Sequence, residues 1–573
     1  MNENIDWLQR YAIFCHFRDK YGTKNFKKWP QFNQSITERE IKVVANDREI
    51  ELLFYYWIQF ICHSQLLNAK EYAENHNVVL KGEVPLLTPF QSVCVWTKPN
   101  LFNVEMRAGT LPTERDLSCI LSNCPSMNWK TFGASRYELW VSRIKRMSNF
   151  FHIIQIDDSN SVFRFWESNH DQCTHSLLGH FNPALPISKS ELRGNGLLDI
   201  DRYMRPYIRW GLIKDKFGTD AELIASAFFN HSGASIENQI FAFKVEFNTE
   251  RKIKKAINYI FEKNNRSNTS NAIPSDYHGD QYPSFASFNS GAYSSPAYQC
   301  LDNLISSSTN KREIWEKGLL ELLDNVLFVE DPYKSNHYHP RGQLCIEKII
   351  PDSRNSNNST SVPNPSWDDL PKEKKDAFSS LFIDFVYHRQ KELWRELSQP
   401  KIKAIKSASN VLLCSDNVDR SNEFPDIFYG FNILTSRLQR IPRYFGLSFD
   451  KVREYPYLSV ATPSTLTMAS LREWWEEDSH ITAEFWKNEI WRTDEPPSNC
   501  EPWIQEIILK QHLSSQSMWA VFMLQDLLSI DERYRPTDPN DERITPAIST
   551  IITHPDNQHA EKWCKRMKFS IEN

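Results

Sequence analysis

Two acidic residues that follow directly after a strongly apolar stretch are the first candidates for chemistry in this sequence. Residues 148–156 read SNFFHIIQI, a β-branched and aromatic run typical of a strand buried on both faces, and Asp157 and Asp158 follow at once. In a parallel barrel the carboxyl ends of the strands carry the catalytic groups, because strand ends are rigid and face the loops that shape the pocket. Asp157 is therefore a candidate catalytic carboxylate. The alternative is an ordinary turn, since Asp, Ser and Asn favour turns.

A second cluster with possible chemistry surrounds Cys173. His170, His175 and His180 recur every five residues around it. Neither a helix nor a strand brings that spacing onto one face, so a metal site is not indicated. The eleven cysteines contain no Cys-x-x-Cys pair, which argues against structural zinc and a disulfide framework. We expect reduced thiols, no metal and no other cofactor.

Composition and charge exclude two classes of partner. The formal net charge is -5, the pI is near 6.4, and Lys and Arg are spread along the chain, so we expect no nucleic acid to bind. The longest nearly apolar run, Leu52 to Cys62, is too short to span a bilayer, and the amino end lacks the pattern of a signal peptide. We expect a soluble, cytoplasmic protein without membrane contact. Aromatic residues make up 13% of the chain, which fits either a bulky core or a groove that stacks flat ligands such as sugars.

The elements that would position Asp157 alternate between helix and strand. Helical patterns occupy residues 1–30, 52–74 and 135–149, and short strands end near Glu83 and Asp157. Four more strands, each followed by helical material, are predicted at 410–414, 436–441, 457–462 and 518–524. The pattern predicts an α/β protein with a parallel sheet. A closed (β/α)8 barrel needs eight strands, so six would leave exposed sheet edges.

The chain divides into four predicted segments. These are a helical amino-terminal segment (1–76), barrel strands ending near Glu83 and Asp157 (77–168), a helical insertion with disordered polar tracts at 264–310 and 352–365 (169–409), and the carboxyl-terminal part of the barrel (410–573).

Several blocks of the chain, in order, resemble a known family. They include FYYWIQFICHSQLLNAKEYAENHNVVLKGEVP, SVCVWTKPNLF, IDDSNSVFRFWE, DRYMRPYIRWGLIKDKFG, YHRQKELWRE, RLQRIP, TPSTLTMASLREWWEED and SMWAVFMLQD. These blocks are similar to those of amylomaltases, the 4-α-glucanotransferases, and in particular the plant-type cytosolic disproportionating enzymes. The resemblance implies a TIM (β/α)8-type barrel with large helical insertions, here missing its first two strands. It also implies retaining transfer of α-1,4-glucan segments, as in starch or glycogen metabolism.

In this family an Asp nucleophile, a Glu acid/base and a stabilising Asp carry the reaction. The resemblance places the nucleophile on Asp157, within Gln155-Ile156-Asp157-Asp158, where the family has Arg-Ile-Asp-His. Losing the Arg removes a charge-assisted donor that would keep the carboxylate ionised. We expect Asp158 to add a like charge that favours protonation of Asp157.

The other two catalytic positions are changed. Asp416 replaces the acid/base Glu of a Gly-Glu-Asp-Leu-Gly block and is shorter by one methylene, about 1.5 Å. Misplacement near 1 Å can cost about 100-fold in rate. Thr467 stands at the stabilising position, where the family has Ser-x-His-Asp and this chain has Ser464-Thr465-Leu466-Thr467. Removing one preorganised transition-state group costs about 100- to 1000-fold.

Three further residues are candidates for substrate binding. Trp96 is retained although Cys94 replaces the Asp of the family's Asp-x-Trp, and Trp166 and Arg440 lie in matching blocks. The two indole rings could stack on sugars, but core packing is the competing role for each.

Two functions follow from the resemblance. In the first, the protein is a catalytically degenerate member, a pseudoenzyme that binds an α-1,4-glucan or maltooligosaccharide or acts with a protein partner that covers the open barrel edge. In the second, it is an active but weak 4-α-glucanotransferase that uses Asp157 and Asp416.

Overall fold

The computed structural model describes most of the chain. The described residues are 4–109, 121–169, 178–230, 239–268, 300–302, 304, 311–341, 365–416, 424–442, 447–465 and 468–542. The chain forms two compact units, each assembled from three segments. Unit 1 comprises residues 1–49, 87–132 and 164–394, and unit 2 comprises residues 50–86, 133–163 and 395–573.

Unit 2 contains a parallel sheet of six strands in chain order. The strands are β1 (Lys81–Pro85), β2 (Ile153–Asp157), β3 (Leu412–Ser415), β4 (Leu434–Leu438), β5 (Ser459–Thr462) and β6 (Trp519–Ala520). Every neighbouring pair is parallel. The four central strands, β2 to β5, are largely buried, as expected for a parallel sheet covered on its faces, although β4 and β5 also carry polar side chains. The six predicted strands are thus confirmed, with small shifts at their ends.

A closed barrel is not formed by the described residues. Within them, β1 pairs with β2 alone and β6 with β5 alone, so the sheet has two edges. This agrees with the count of six strands rather than eight, because a barrel closes only when every edge strand finds a partner. The parallel sheet is observed, while the eight-stranded barrel remains an expectation from the family.

Helices alternate with the strands of unit 2. Those lying wholly or mainly in this unit are Glu49–Asn75, Glu138–Met147, Lys391–Lys406, Phe424–Gly430, Leu471–Glu477, Ser479–Asn488, Pro502–Leu513 and Leu524–Leu528. The helix Leu471–Glu477 begins at a capping box, in which Ser470 and Glu473 satisfy each other's backbone N–H groups. Behind it Trp475, Phe485 and Trp486 pack into one buried cluster. Burying each such ring contributes roughly 2 to 3 kcal/mol.

Unit 1 combines helices with three small antiparallel sheets. Its helices are Ile5–Tyr21, Glu38–Asp47, Val93–Thr97, Trp129–Ala134, Lys189–Gly194, Ile200–Met204, Trp210–Phe217, Ala221–Phe228, Glu250–Asn268, Arg312–Leu323, Pro365–Asp368 and Lys372–Ile383, followed by the π-helical turn Asp384–Arg389. The sheets consist of Leu121–Met127, Phe102–Gly109, Phe165–Asn169 and His180–Asn182; of Ile208–Arg209, Ile240–Phe243 and Phe229–Asn230; and of Phe328–Glu330, His337–Pro340 and Ile187–Ser188. The sequence did not predict these sheets, because most of their strands are only two to five residues long.

The predicted helices are confirmed where they fall on described residues. The three early patterns correspond to Ile5–Tyr21, Glu49–Asn75 and Glu138–Met147. The polar tract 264–310 starts inside the helix Glu250–Asn268, and most of the remaining tract, like 352–364, lies outside the described residues. The four-segment division stays a prediction. Among the helices that the structure describes, none combines the length and apolar character needed to cross a bilayer.

Candidate active site

The carboxyl ends of β2 and β3 bring Asp157 and Asp416 to one edge of the sheet. Asp157 is the last residue of β2, and Asp416 follows β3 directly. The two strands are adjacent and parallel, with Ser415 opposite Ile156. The backbone N–H of Asp416 donates to the Ile156 carbonyl at 3.3 Å, which extends the pairing by one residue. Both acids therefore stand on neighbouring strand ends, the position at which parallel α/β folds place reactive groups.

The Asp416 carboxylate is held by the turn that follows Asp157. The backbone N–H of Ser159 donates to Asp416 Oδ1 at 3.1 Å, and the Ser159 hydroxyl donates to the same oxygen. Burial raises the pKa of Asp416 to about 7, while the Ser159 hydroxyl opposes this rise and the charges of Asp157 and Asp158 add to it. Near neutral pH this carboxyl group is consequently divided between its protonated and ionised forms.

The ionisation of Asp157 is set by opposing influences. Burial raises its pKa above the usual value for an aspartate, whereas the backbone N–H of Asp158 and the charge of Lys81 lower it. The sequence led us to expect that Asp158 would favour protonation of Asp157 through its like charge. In the structure Asp158 acts on Asp157 through a backbone hydrogen bond that favours the ionised form, and Asp158 takes the left-handed conformation at φ 54°.

A polar network lies beneath this edge on the same sheet. Lys81 Nζ donates to Gln155 Oε1 at 2.5 Å, and Gln155 Nε2 donates to Glu83 Oε1 at 3.1 Å. Lys81 also lies 3.9 Å from Glu83, and the Ser436 hydroxyl donates to Gln155 Oε1 at 3.3 Å. Burial raises the pKa of Glu83, Lys81 opposes this, and Asp157 adds to it. The amide of Gln155 is therefore engaged with its neighbours below the edge.

This network contains residues that the sequence analysis did not assign to the site. Gln155 occupies the position at which the family resemblance expects an Arg, and the nearby positive charge instead comes from Lys81 on β1. Lys81 and Glu83 are two residues apart on a strand, so they share a face, and Glu83 is opposite Gln155. That alternation was a signal available in the sequence. The contribution of Ser159 was not, because it depends on how the turn folds.

Arg440 anchors the segment that contains Thr467, the third predicted catalytic position. It is 7% exposed, and it donates to the Pro463 carbonyl at 3.0 Å, the Ser464 hydroxyl at 2.8 Å and the Ala469 carbonyl at 2.9 Å. Its guanidinium also lies 5.3 Å from the centre of the Trp474 ring. Thr467, the predicted stabiliser position, lies between these anchors but outside the described residues. Arg440 thus bridges the two ends of residues 463–469.

The two tryptophans with a predicted sugar-stacking role are buried in unit 1. Trp96 is 2% exposed, donates to the Asn33 carbonyl at 3.0 Å and packs edge-on against Trp29. Trp166 is 6% exposed and packs against Phe181 with 5.1 Å between ring centres. Such burial favours core packing, the alternative that the sequence analysis left open, because a stacking ring must expose a face to its ligand.

The histidine cluster around Cys173 is described only at His180. Its Nε2 lies 3.1 Å from Glu167 Oε1 within a buried pair. His170, Cys173 and His175 lie outside the described residues. Across the part of the chain that is described, no group of His, Cys, Asp and Glu has the arrangement of a metal site.

Comparisons with known proteins show the family to which this chain belongs. The family model of glycoside hydrolase family 77, described as 4-alpha-glucanotransferase, matches residues 1–548. The chain is 29% identical over 547 residues to 4-alpha-glucanotransferase DPE2 of Oryza sativa subsp. japonica, covering 95% of this chain and 51% of that protein. It is also 27% identical over 161 residues to 4-alpha-glucanotransferase of Chlamydia pneumoniae, covering 28% of this chain and 30% of that protein.

Among solved structures, the chain is similar to an amylomaltase from Streptococcus agalactiae in complex with acarbose. The TM-score is 0.48 and the identity 14%, covering 95% of this chain and 66% of that one. This chain spans about half the length of the rice relative. Because the family model extends over nearly the whole sequence, the chain belongs to the 4-alpha-glucanotransferase family, glycoside hydrolase family 77.

Proposed function

We propose that this chain binds an α-1,4-glucan at the carboxyl edge of its parallel sheet and is a catalytically degenerate member of its family. The observation that carries the proposal is the state of Asp416. Its side chain is one methylene shorter than the family's Glu, and its Oδ1 accepts two hydrogen bonds from Ser159. To protonate a glycosidic oxygen with that atom, the carboxyl group would have to give up at least one of these bonds, and it would act from a side chain that is shorter than Glu.

The other two catalytic positions support the same conclusion. Gln155 carries no charge, so the ionised form of Asp157 has only Lys81 and one backbone N–H to favour it. Thr467 supplies no carboxylate to a transition state that resembles an oxocarbenium ion. Each lost group is worth about 100- to 1000-fold in rate, although groups that act as a unit do not combine additively.

The ligand class follows from the family. Its members are 4-alpha-glucanotransferases, so a linear maltooligosaccharide is the expected ligand. Among the described residues no strand pairs with the outer edge of β1, and a protein partner would cover that edge. We propose the cytoplasm as the location and α-glucan metabolism as the context.

A second function, slow 4-α-glucanotransferase activity, is favoured by the position of Asp157 and Asp416 at neighbouring strand ends. In a retaining mechanism the Asp157 carboxylate attacks the anomeric carbon while Asp416 donates its proton to the departing glycosidic oxygen. Asp416 then takes the proton of an acceptor 4-hydroxyl, whose oxygen displaces Asp157 from the sugar. The pKa of about 7 for Asp416 suits both halves of this exchange near neutral pH.

The deciding experiment incubates the pure protein with maltotriose and follows glucose and longer oligosaccharides by chromatography. We expect no products above background from the natural sequence. The triple variant Gln155→Arg, Asp416→Glu, Thr467→Asp should form them, because it restores all three changed groups. Adding Asp157→Asn to the triple variant is the matched control and should abolish the products. Turnover by the natural sequence at a rate ordinary for enzymes, on the order of 10 per second, would contradict degeneracy.

Binding is tested separately by thermal unfolding with maltoheptaose. A ligand that binds only the folded state raises the melting temperature, by an amount that grows with its concentration over Kd. We expect such a rise with maltoheptaose and none with an equal mass of sucrose. If millimolar maltoheptaose leaves the melting temperature unchanged, the glucan-binding function is wrong.

A further inference from the structure

Unit 2 contains an open pocket that the strand-end site does not use. It has a volume of about 610 Å³, within the usual range for small-molecule sites. The lining residues come from the segment after β4, from the end of the helix Ser479–Asn488 and the turn after it, and from the helix Pro502–Leu513. Three separate elements of the same unit therefore surround the space.

Three planar polar side chains at the floor of the pocket, those of Gln439, Glu489 and Gln511, lie close together. Gln439, only 2% exposed, directs its amide N–H group towards Glu489 Oε2 at 3.5 Å and Gln511 Oε1 at 3.4 Å. These are the longest separations at which such groups still bond, so a better-placed hydroxyl group could replace them. Burial raises the pKa of Glu489, which is a frequent property of carboxyl groups in binding sites.

Aromatic surface completes the pocket. Phe449, 6% exposed, lines it from the core side, and Trp491 lines it with 71% of its surface exposed. The Trp491 backbone has φ 63°, a conformation that is uncommon and strained for a bulky residue. Strain of this kind concentrates at ligand-binding positions. The guanidinium of Arg453 lies 5.3 Å from the ring centre, within the range of a cation–π contact.

We propose that this pocket is a second saccharide-binding site, which holds one or two hexose rings of a neutral oligosaccharide. Amide and carboxylate groups at the floor would exchange hydrogen bonds with ring hydroxyl groups, and Trp491 would stack on the flat face of a sugar. The charged residues of the lining nearly balance, with Lys451, Arg453 and Lys487 against Glu484 and Glu489. A neutral ligand fits that balance better than an anion does.

The pocket lies on the opposite face of the sheet from the Asp157 network. Successive residues of β4 point to opposite faces, and Ser436 bonds to Gln155 beneath Asp157. Arg437 therefore points the other way, where it lies 4.0 Å from Asp450. Asp450 immediately precedes Lys451 of the pocket, and its N–H donates to the Gln439 carbonyl at 2.8 Å. We therefore expect the two sites to bind separately.

Isothermal titration with maltotetraose tests the inference on the full chain. Five proteins are compared: the natural sequence, Trp491→Ala, Trp491→Tyr, Asp157→Asn and a control variant. Trp57→Ala, which removes a 60% exposed tryptophan from a helix of the same unit, is the matched control. We expect Trp491→Ala to weaken binding at this pocket about tenfold, Trp491→Tyr to retain most of it, and Trp57→Ala to leave it unchanged. Asp157→Asn should not affect it.

The titrations also separate this site from the one at the strand ends. If only the strand-end function is wrong, the natural sequence gives a single binding event that Trp491→Ala weakens and Asp157→Asn retains. Equal titrations for the natural sequence and Trp491→Ala would overturn the second site. The second site would also be overturned if maltotetraose does not bind, or if a titration with inorganic phosphate gives heat and the titration with maltotetraose does not.

Discussion

Replacing Asp416 by Asn should stabilise the protein at alkaline pH but not at acidic pH. In the folded chain the pKa of Asp416 is raised from 3.8 to about 7, chiefly by burial. Below pH 3.8 the group is protonated in both the folded and the unfolded state, and folding carries no ionisation cost. Between pH 3.8 and 7 the folded state binds the extra proton, so stability falls as the pH rises. Above pH 7 the full cost remains.

The size of this effect follows from the pKa shift. A rise of about 3 pKa units corresponds to roughly 4 kcal/mol, at 1.36 kcal/mol for each unit. Asp416 keeps some contact with solvent, which reduces the cost, so we expect about 1 to 4 kcal/mol. Asn keeps an oxygen that can accept from the Ser159 hydroxyl, and the hydrogen bonding at this position is therefore largely conserved.

The measurement is urea unfolding of the natural sequence and Asp416→Asn at pH 5 and pH 8. The variant should gain stability at pH 8 and much less at pH 5. Gln516→Ala, which alters an exposed uncharged residue of the same unit, serves as the control and should change stability equally at both pH values. An equal change at both pH values, or a loss of stability at pH 8, would refute the argument that burial controls the ionisation of Asp416.

Three further predictions test other parts of the structure. Lys81→Met should raise the pKa of Asp157, visible as a higher midpoint in a carboxyl titration by NMR, whereas Lys81→Arg should largely preserve it. Burial lowers the pKa of His339 to about 4. The free energy of unfolding should therefore fall by up to about 3 kcal/mol as the pH falls from 6.5 to 4, because the unfolded state binds the proton first. His339→Gln should flatten the dependence of urea midpoint on pH in that range. Arg440→Met should lower stability by about 3 kcal/mol by leaving its acceptors unsatisfied, and Arg440→Lys should recover only a small part of this in the same unfolding assay.

The parallel sheet could be predicted because its strands carry a strong local signal. Runs such as Ile153–Asp157 are β-branched, buried and followed by polar turns, and helices separate them. The antiparallel sheets of unit 1 lack such a signal. Strands as short as Ile187–Ser188 are fixed by tertiary contacts rather than by their own residues.

Part of the candidate site could also be predicted from the sequence. Asp157 ends a predicted strand, and the resemblance places Asp416 just after another, so their proximity follows because parallel strands end at a common edge. The role of Ser159 depends on a turn whose shape no local pattern specifies. For Trp96, aromatic type alone could not separate a core ring from a binding surface, since both roles use the same apolar area.

The bridging of residues 463–469 by Arg440 has an evolutionary consequence. One guanidinium secures both ends of this stretch, through the Pro463 carbonyl and the Ser464 hydroxyl at the start and the Ala469 carbonyl at the end. Selection that retains Arg440 therefore also retains the backbone at both ends of the stretch. The resemblance implies that Thr467 stands where the family has Asp, and a mutation that reinstates the acid would enter a stretch whose two ends are already held.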